Sequence, residues 1–383
     1  MNMYDLSSYR RRLLVLVAGG CLLMFAVGTG APITGAAELP TETRAAIDTQ
    51  IEQFMEKHHV PGLSVAIAVD YELGYEKGYG LADVENDVPA TAETIYRLAS
   101  ISKMLTAVAV MQLVEAGKLD LSAPIQKYVE GFPEKQAPIT CELLLKHQSG
   151  IRHYRGDEVS SNKSYAKVRD SFGVFQDDPL LFNPGERFSY TTYGYNVLGA
   201  AIEGASGEDY VRYVKEHVAD PAGMETIRPD SPLKIIHHRA GGYRRSGPLL
   251  VNDIAVDVSN KIPGGGWCST PGDLARFSIA LCQGKLVSAE TLERMWTPQK
   301  TTRDVLTQSG YGCSIGELQG DRIVSHSGGQ PKVSTHLVFS PARKTAVAVM
   351  CNLQGTSVRE LAENLLETLA GEPVKVEQPA AAP

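Results

Sequence analysis

Residues 100–117 limit the choice of fold more than any other part of this 383-residue chain. Read as a helix, the stretch is apolar nearly all round, with Met104, Ala107, Val108, Ala109, Val110 and Met111 spread over its faces. A surface helix carries a single apolar stripe, so a helix of this kind belongs at the centre of a protein. Its first turn nevertheless holds Ser100 and Lys103. A lysine at the entrance to an apolar helix needs a reason to be there, because an unpartnered ammonium group is costly to bury.

The flanking segments supply the covering layers. Residues 41–59 read as a helix with Ile47, Ile51, Phe54 and Met55 on one face, ended by Pro61-Gly62. Strands are predicted over residues 63–69 and 74–81, before a turn at Glu85-Asn86-Asp87. Residues 118–305 read as mostly helical, broken by Pro and Gly loops, with 155–167 a polar surface excursion. Strands return at 322–325, 334–339 and 345–350, the last two joined by Pro341-Ala-Arg-Lys344. A final helix is expected to open on a capping box, Ser357-x-x-Glu360, to turn Leu361, Leu365 and Leu369 inward, and to stop at Gly371. The pattern predicts an α/β (α+β) fold: one antiparallel sheet built from both ends of the chain, flanked by the terminal helices, with a helical lobe inserted. Residues 38–112 and 305–372 would form the α/β part and 113–304 the lobe, with the active site in the cleft between them. Residues 373–383 form a Pro/Ala tail with little to bury, predicted to be disordered.

The first segment reads as a targeting signal. Arg10, Arg11 and Arg12 precede an apolar run at 13–27 and a small-residue exit at Gly35-Ala36-Ala37. Residues 1–37 are therefore expected to be a secretory signal peptide cleaved near Ala37, or a membrane anchor attached through residues 13–30. The expected location is exported: periplasmic or extracellular, with anchoring to the inner membrane as the uncleaved outcome. A net charge of −7, with no long basic run after the N-terminus, argues against a nucleic-acid partner. Six cysteines in so long a chain do not make a disulfide framework. No CxxC or Cys/His ligand spacing occurs, and the pairs His58-His59 and His237-His238 are adjacent rather than one helical turn apart, so no metal or other cofactor is expected.

Ser-x-x-Lys places a hydroxyl and an amine one helical turn apart. The chain contains it four times: Ser100 with Lys103, Ser160 with Lys163, Ser164 with Lys167, and Ser231 with Lys234. The last three lie in polar stretches or precede a proline, and only Ser100 opens a buried helix. Tyr190 follows the turn Asn183-Pro-Gly-Glu and precedes a helix predicted over 195–204, with Thr192 two residues on. His326-Ser327-Gly328-Gly329 is placed between two strands, where glycines let a substrate approach the backbone. Lys344-Thr345-Ala346 lacks a glycine and begins a strand.

Ser-x-x-Lys, a Tyr about 90 residues later and His-Ser-Gly together resemble the motifs of the β-lactamase-like, penicillin-recognising serine hydrolases. That group includes class C β-lactamases, D-Ala-D-Ala peptidases and related esterases. The resemblance extends to Leu144-Leu-Lys-His147-x-Ser-Gly150 and to Gly264-Gly-Gly-Trp-Cys-Ser-Thr270 with Asp273. Leu98-Ala-Ser-Ile-Ser-Lys103, Ser149-Gly-Ile-Arg-His-Tyr154 and Met295-Trp-Thr-Pro298 look like the animal mitochondrial branch, the serine β-lactamase-like proteins. The resemblance implies a β-lactamase/transpeptidase-like fold and an acyl-enzyme on Ser100, with Lys103 as proton acceptor and Tyr190 as relay or shared base. It implies an oxyanion hole from the backbone N–H groups of Ser100 and Gly329, with Thr192, His326, Ser327 and Gly328 binding substrate. Thr192 and His326 stand where class C enzymes have Asn and Lys, which favours a peptidase or esterase over efficient β-lactam hydrolysis. A small peptide, an ester or a β-lactam is the expected substrate. His326 is expected to gain affinity for a carboxylate on protonation near its reference pKa of about 6.5. The alternatives are a D-Ala-D-Ala carboxypeptidase or weak class C-like β-lactamase, and a non-catalytic scaffold that binds peptides or forms filaments. Homo-oligomerisation is compatible with each.

Overall fold

The computed structural model describes residues 39–371, and the expected leader at 1–37 and tail at 373–383 lie outside them. Helix α1 (Thr41–His58) ends at His59, whose φ of 52° turns the chain back. Strands β1 (Gly62–Val69), β2 (Glu72–Asp83) and β3 (Val88–Pro89) follow. The central helix is α2 (Ser102–Glu115), and α3 (Thr192–Ser206) and α4 (Pro271–Cys282) are the longest helices of the middle region. The chain closes with β4 (Ser314–Leu318), β5 (Asp321–Gln330), β6 (Val333–Ser340), β7 (Thr345–Cys351) and α5 (Arg359–Leu369).

These strands make one seven-stranded sheet in the order β3-β2-β1-β7-β6-β5-β4, antiparallel throughout. The two ends of the chain meet where β1 pairs with β7, from Leu63 opposite Cys351 to Ala68 opposite Ala346. Period-two alternation sends Val347, Val349 and Cys351 to the face covered by α1 and α5, and Ala346, Ala348 and Met350 to the face that meets α4. Strand β7 is buried along its whole length on both faces. Each fully buried Val or Leu contributes roughly 1.5–3 kcal/mol, so truncations in β7 should be among the most damaging. Helix α2 is buried from Ser102 to Met111, as its composition requires.

The predicted α+β architecture is the observed one, with differences in detail. The final helix starts at Arg359 with Val358 at its N-cap and no side-chain cap, so the Ser357-x-x-Glu360 capping box does not form. The motif lies one residue too early to reach the first free N–H groups of the helix. Strand β5 runs straight through His326-Ser327-Gly328-Gly329 instead of stopping before it. It continues because β6 pairs with it as far as Gln330, opposite Val333. On its other side β4 pairs only up to Ser325, so among the described residues the outer edge of 326–330 carries no strand. The middle region is less helical than expected and includes the short strands Arg228–Pro229 and Trp267–Ser269, the latter paired between Arg228–Pro229 and Tyr96–Arg97.

Candidate active site

Ser100 sits in a single 3₁₀ turn, Ala99–Ile101, that leads into α2 rather than in the helix itself. Ala99 adopts φ 48°, a left-handed conformation that costs an L residue roughly 1–2 kcal/mol. Gly328 of β5 lies against this turn: a Cβ there would stand 3.0 Å from the Ala99 Cβ. The i, i+3 spacing survives the change of helix type, and Lys103 Nζ lies 3.2 Å from Ser100 Oγ. Lys103 is fully buried, and this desolvation, with Lys261 nearby, holds its pKa well below the ordinary lysine value. Its other partners are the Gly264 carbonyl oxygen at 2.6 Å and Thr192 Oγ1 at 3.2 Å. A neutral amine has two N–H bonds and one lone pair. In that form, donating to Gly264 and Thr192 would leave the lone pair for the Ser100 hydroxyl proton, whereas as an ammonium group Lys103 donates to Ser100 Oγ as well.

Tyr190 stands just before α3, with Lys103 Nζ 4.8 Å from its ring centre. Burial pushes its phenol pKa up, while hydrogen bonding with Ser100 works the other way. Its ring packs 4.4 Å from that of His147 and 6.4 Å from that of His326. Two imidazoles fix the backbone here: the Thr191 N–H donates to His147 Nδ1 (3.1 Å), and the Thr192 N–H donates to His153 Nδ1 (3.2 Å). Both rings must be unprotonated at Nδ1 to accept. Desolvation is the larger cause, with Lys103 in its protonated form second, and together they lower His153 to about 4 and hold His147 well below 6.5. His326 is buried, and the same two causes in the same order lower it to about 4. It therefore does not titrate near 6.5, contrary to the sequence expectation. Its Nδ1–H donates to the Ser327 carbonyl oxygen at 2.7 Å, which leaves Nε2 as an acceptor.

The remaining expected residues separate into two groups. Gly329 has open space where a Cβ would be, whereas Gly328 is packed against the protein. Ser327 is exposed, with its Oγ 2.8 Å from His336 Nδ1. Thr192 is buried with its hydroxyl against Lys103, so it braces the amine rather than facing a bound substrate as the resemblance implied. Lys163, Lys167 and Lys234 of the other Ser-x-x-Lys sequences are exposed, as their polar surroundings indicated.

Sequence reasoning gave no role to His147, His153 or Gly264, although each lies in a segment that carried the family resemblance. A histidine beside a Ser-Gly turn was a usable signal; the Gly264 carbonyl oxygen left no signal in a side chain. A cleft of about 590 Å³ opens beside these groups, with Tyr190, His147 and His326 on its lining and with Phe188, Val305 and Leu306 contributing apolar surface. The five described cysteines are all free.

The β-lactamase family model matches residues 47–372. The chain is 31% identical to the mitochondrial serine β-lactamase-like protein of Homo sapiens, over 79% of this chain and 75% of that protein. It is similar to the octameric penicillin-binding protein homologue from Pyrococcus abyssi, with 30% identity, a TM-score of 0.75, and coverage of 86% of this chain and 78% of that one. The D-amino acid amidase from Ochrobactrum anthropi SV3 shares the fold, with a TM-score of 0.76 at 22% identity over 86% of this chain and 99% of that one.

Proposed function

The chain belongs to the β-lactamase family, whose members include serine hydrolases, and from that premise we propose that it hydrolyses a peptide or ester through an acyl-enzyme on Ser100. The observation that carries the reading is the contact between Ser100 Oγ and the buried, desolvated Lys103 amine. The pKa of Lys103 is lowered while that of Tyr190 is raised, so the uncharged form of each group is favoured. Opposed shifts of this kind support the reading in which Lys103 accepts the Ser100 proton and Tyr190 donates to the leaving group. Ser100 Oγ then bonds to the substrate carbonyl carbon, and the oxygen takes up negative charge facing the backbone N–H groups of Ser100 and Gly329. One such donor is worth roughly 3–4 kcal/mol in other serine hydrolases. After the leaving group departs with the Tyr190 proton, Lys103 passes the proton it took from Ser100 back to Tyr190. A water then attacks the acyl-enzyme with Lys103 accepting its proton, and that proton goes to Ser100 Oγ as the acid product leaves.

Export and self-association complete the reading. Arg10–Arg12 and the apolar run after them support export with cleavage near Ala37 or retention as an anchor. The octameric Pyrococcus homologue supports a homo-oligomer. The test of the hydrolase is turnover of a chromogenic ester or peptide, with the reaction quenched for intact-mass spectrometry. The expected result is one acyl group per chain, mapped to Ser100 and missing in Ser100→Ala. Turnover that persists in Ser100→Ala would refute the reading.

A further inference from the structure

The cleft beside Tyr190 has an unusual charge character for a site that would bind an acidic ligand. Among the described residues, no Lys, Arg, Asp or Glu lines it. The cations on the neighbouring loop are already engaged: Lys300 pairs with Asp304 at 2.7 Å, and Arg303 pairs with Glu186 at 3.1 Å. Its titratable lining groups are neutral near pH 7, because His147 and His326 are held below their ordinary pKa, and Tyr190 and Cys313 are held above theirs. His326 spends its Nδ1–H on the Ser327 carbonyl oxygen, so the nitrogen left over accepts a hydrogen bond and cannot donate one to a carboxylate. Phe188, Val305 and Leu306 line the same cleft and are 43%, 58% and 62% exposed. Solvent-exposed apolar side chains gathered on a cleft suit an apolar ligand surface. The polar groups that remain, Thr307, Gln308, Ser309, Ser314 and Ser327, are uncharged.

We propose that this cleft receives an uncharged, mainly apolar portion of the ester or amide substrate and disfavours substrates that place a free carboxylate there. A carboxylate entering the cleft would lose water without meeting a cation, whereas an alkyl or aryl group would cover Phe188, Val305 and Leu306. The inference rests on the serine-hydrolase reading and narrows it: neutral esters, amides and blocked peptides are favoured over peptides bound through a free C-terminal carboxylate.

Two alkyl fluorophosphonates of equal chain length, one ending in methyl and one in carboxylate, separate the two levels of the claim. Both carry the same electrophilic phosphorus, so the ratio of their second-order rates at Ser100 reads the cleft alone. The methyl-ended probe should react at least about tenfold faster, a discrimination of the size a missing polar partner produces. In Leu306→Lys, a change at an exposed position, a cation on the rim should bring the ratio close to one. Equal rates in the unaltered protein, or a ratio that Leu306→Lys leaves unchanged, would overturn the proposal while leaving Ser100 as nucleophile. Failure of both probes to label Ser100 would instead overturn the hydrolase reading, and the cleft proposal with it.

Discussion

Gly328 passes so close to Leu98 that a Cβ on it would stand 2.4 Å from the Leu98 carbonyl oxygen. The Thr335 hydroxyl donates to the same carbonyl at 3.1 Å, and the imagined Cβ would stand 2.2 Å from that hydroxyl oxygen. Strands β5 and β6 and the turn bearing Ser100 are thus pinned together at one point. This is why the first glycine of the pair is a packing requirement, while the second faces open space.

Stability measurements on the two glycines should therefore diverge. Gly328→Ala forces backbone to move and should cost about 1–3 kcal/mol in urea unfolding. Gly329→Ala should stay within about 0.5 kcal/mol of the unaltered protein. Equal losses in the two variants would contradict the assigned packing.

Thr192 should act through Lys103. Thr192→Val keeps the volume and deletes the hydroxyl that accepts from the amine. The expected effect is a fall in kcat of about tenfold with KM little changed, as for an interaction used in the chemical step. Thr192→Ser, which restores the hydroxyl, should recover most of the loss. A rise in KM at constant kcat would mark Thr192 as a substrate contact instead.

Folding stability should fall on mild acidification. His153 and His326 are lowered to about 4 and His336 to about 3, in each case chiefly by desolvation. An imidazole with a folded-state pKa below its unfolded value of about 6.5 binds fewer protons when folded. Its stabilisation is complete above pH ~6.5 and is lost as pH drops from there toward the folded-state pKa. Chemical unfolding should show a loss of at least about 2 kcal/mol between pH 7 and pH 4.5. In His153→Gln, where an amide oxygen can still accept from the Thr192 N–H, part of that slope should disappear. A pH-independent stability across this range would show that these rings are protonated without penalty.

Much of the site was legible because its chemistry lies in side chains placed at a few telling positions. Ser100 and Lys103 stood out from three similar tetrapeptides because only they open an apolar helix, and burial of Lys103 is what separates them physically. The strands at both ends were readable from alternation, since β7 sends valines to one face and alanines to the other. Less accessible were features decided by backbone groups and by distant packing. The Gly264 carbonyl oxygen meets Lys103 across 161 residues of sequence, and Leu98 and Thr335 meet across 237. The pKa of His326 depends on its burial and on Lys103, neither of which a run of His-Ser-Gly-Gly reveals. Thr192 shows the same limit: its position after Tyr190 says that it is near the site, and only the fold says that its hydroxyl faces Lys103.

The central claim is that an uncharged Lys103 activates Ser100, and the pH dependence of Ser100 labelling by a neutral fluorophosphonate tests it most directly. In the unaltered protein the rate should rise to a plateau reached well below the ordinary lysine pKa of 10.5, because Lys103 loses its proton early. Lys103→Met should abolish that rise and slow labelling on the order of a thousandfold, within the range general-base catalysis supplies. Peptide mapping should find the adduct on Ser100 alone. A rate that keeps climbing toward pH 10.5, or an adduct on Ser160, Ser164 or Ser231, would contradict the account.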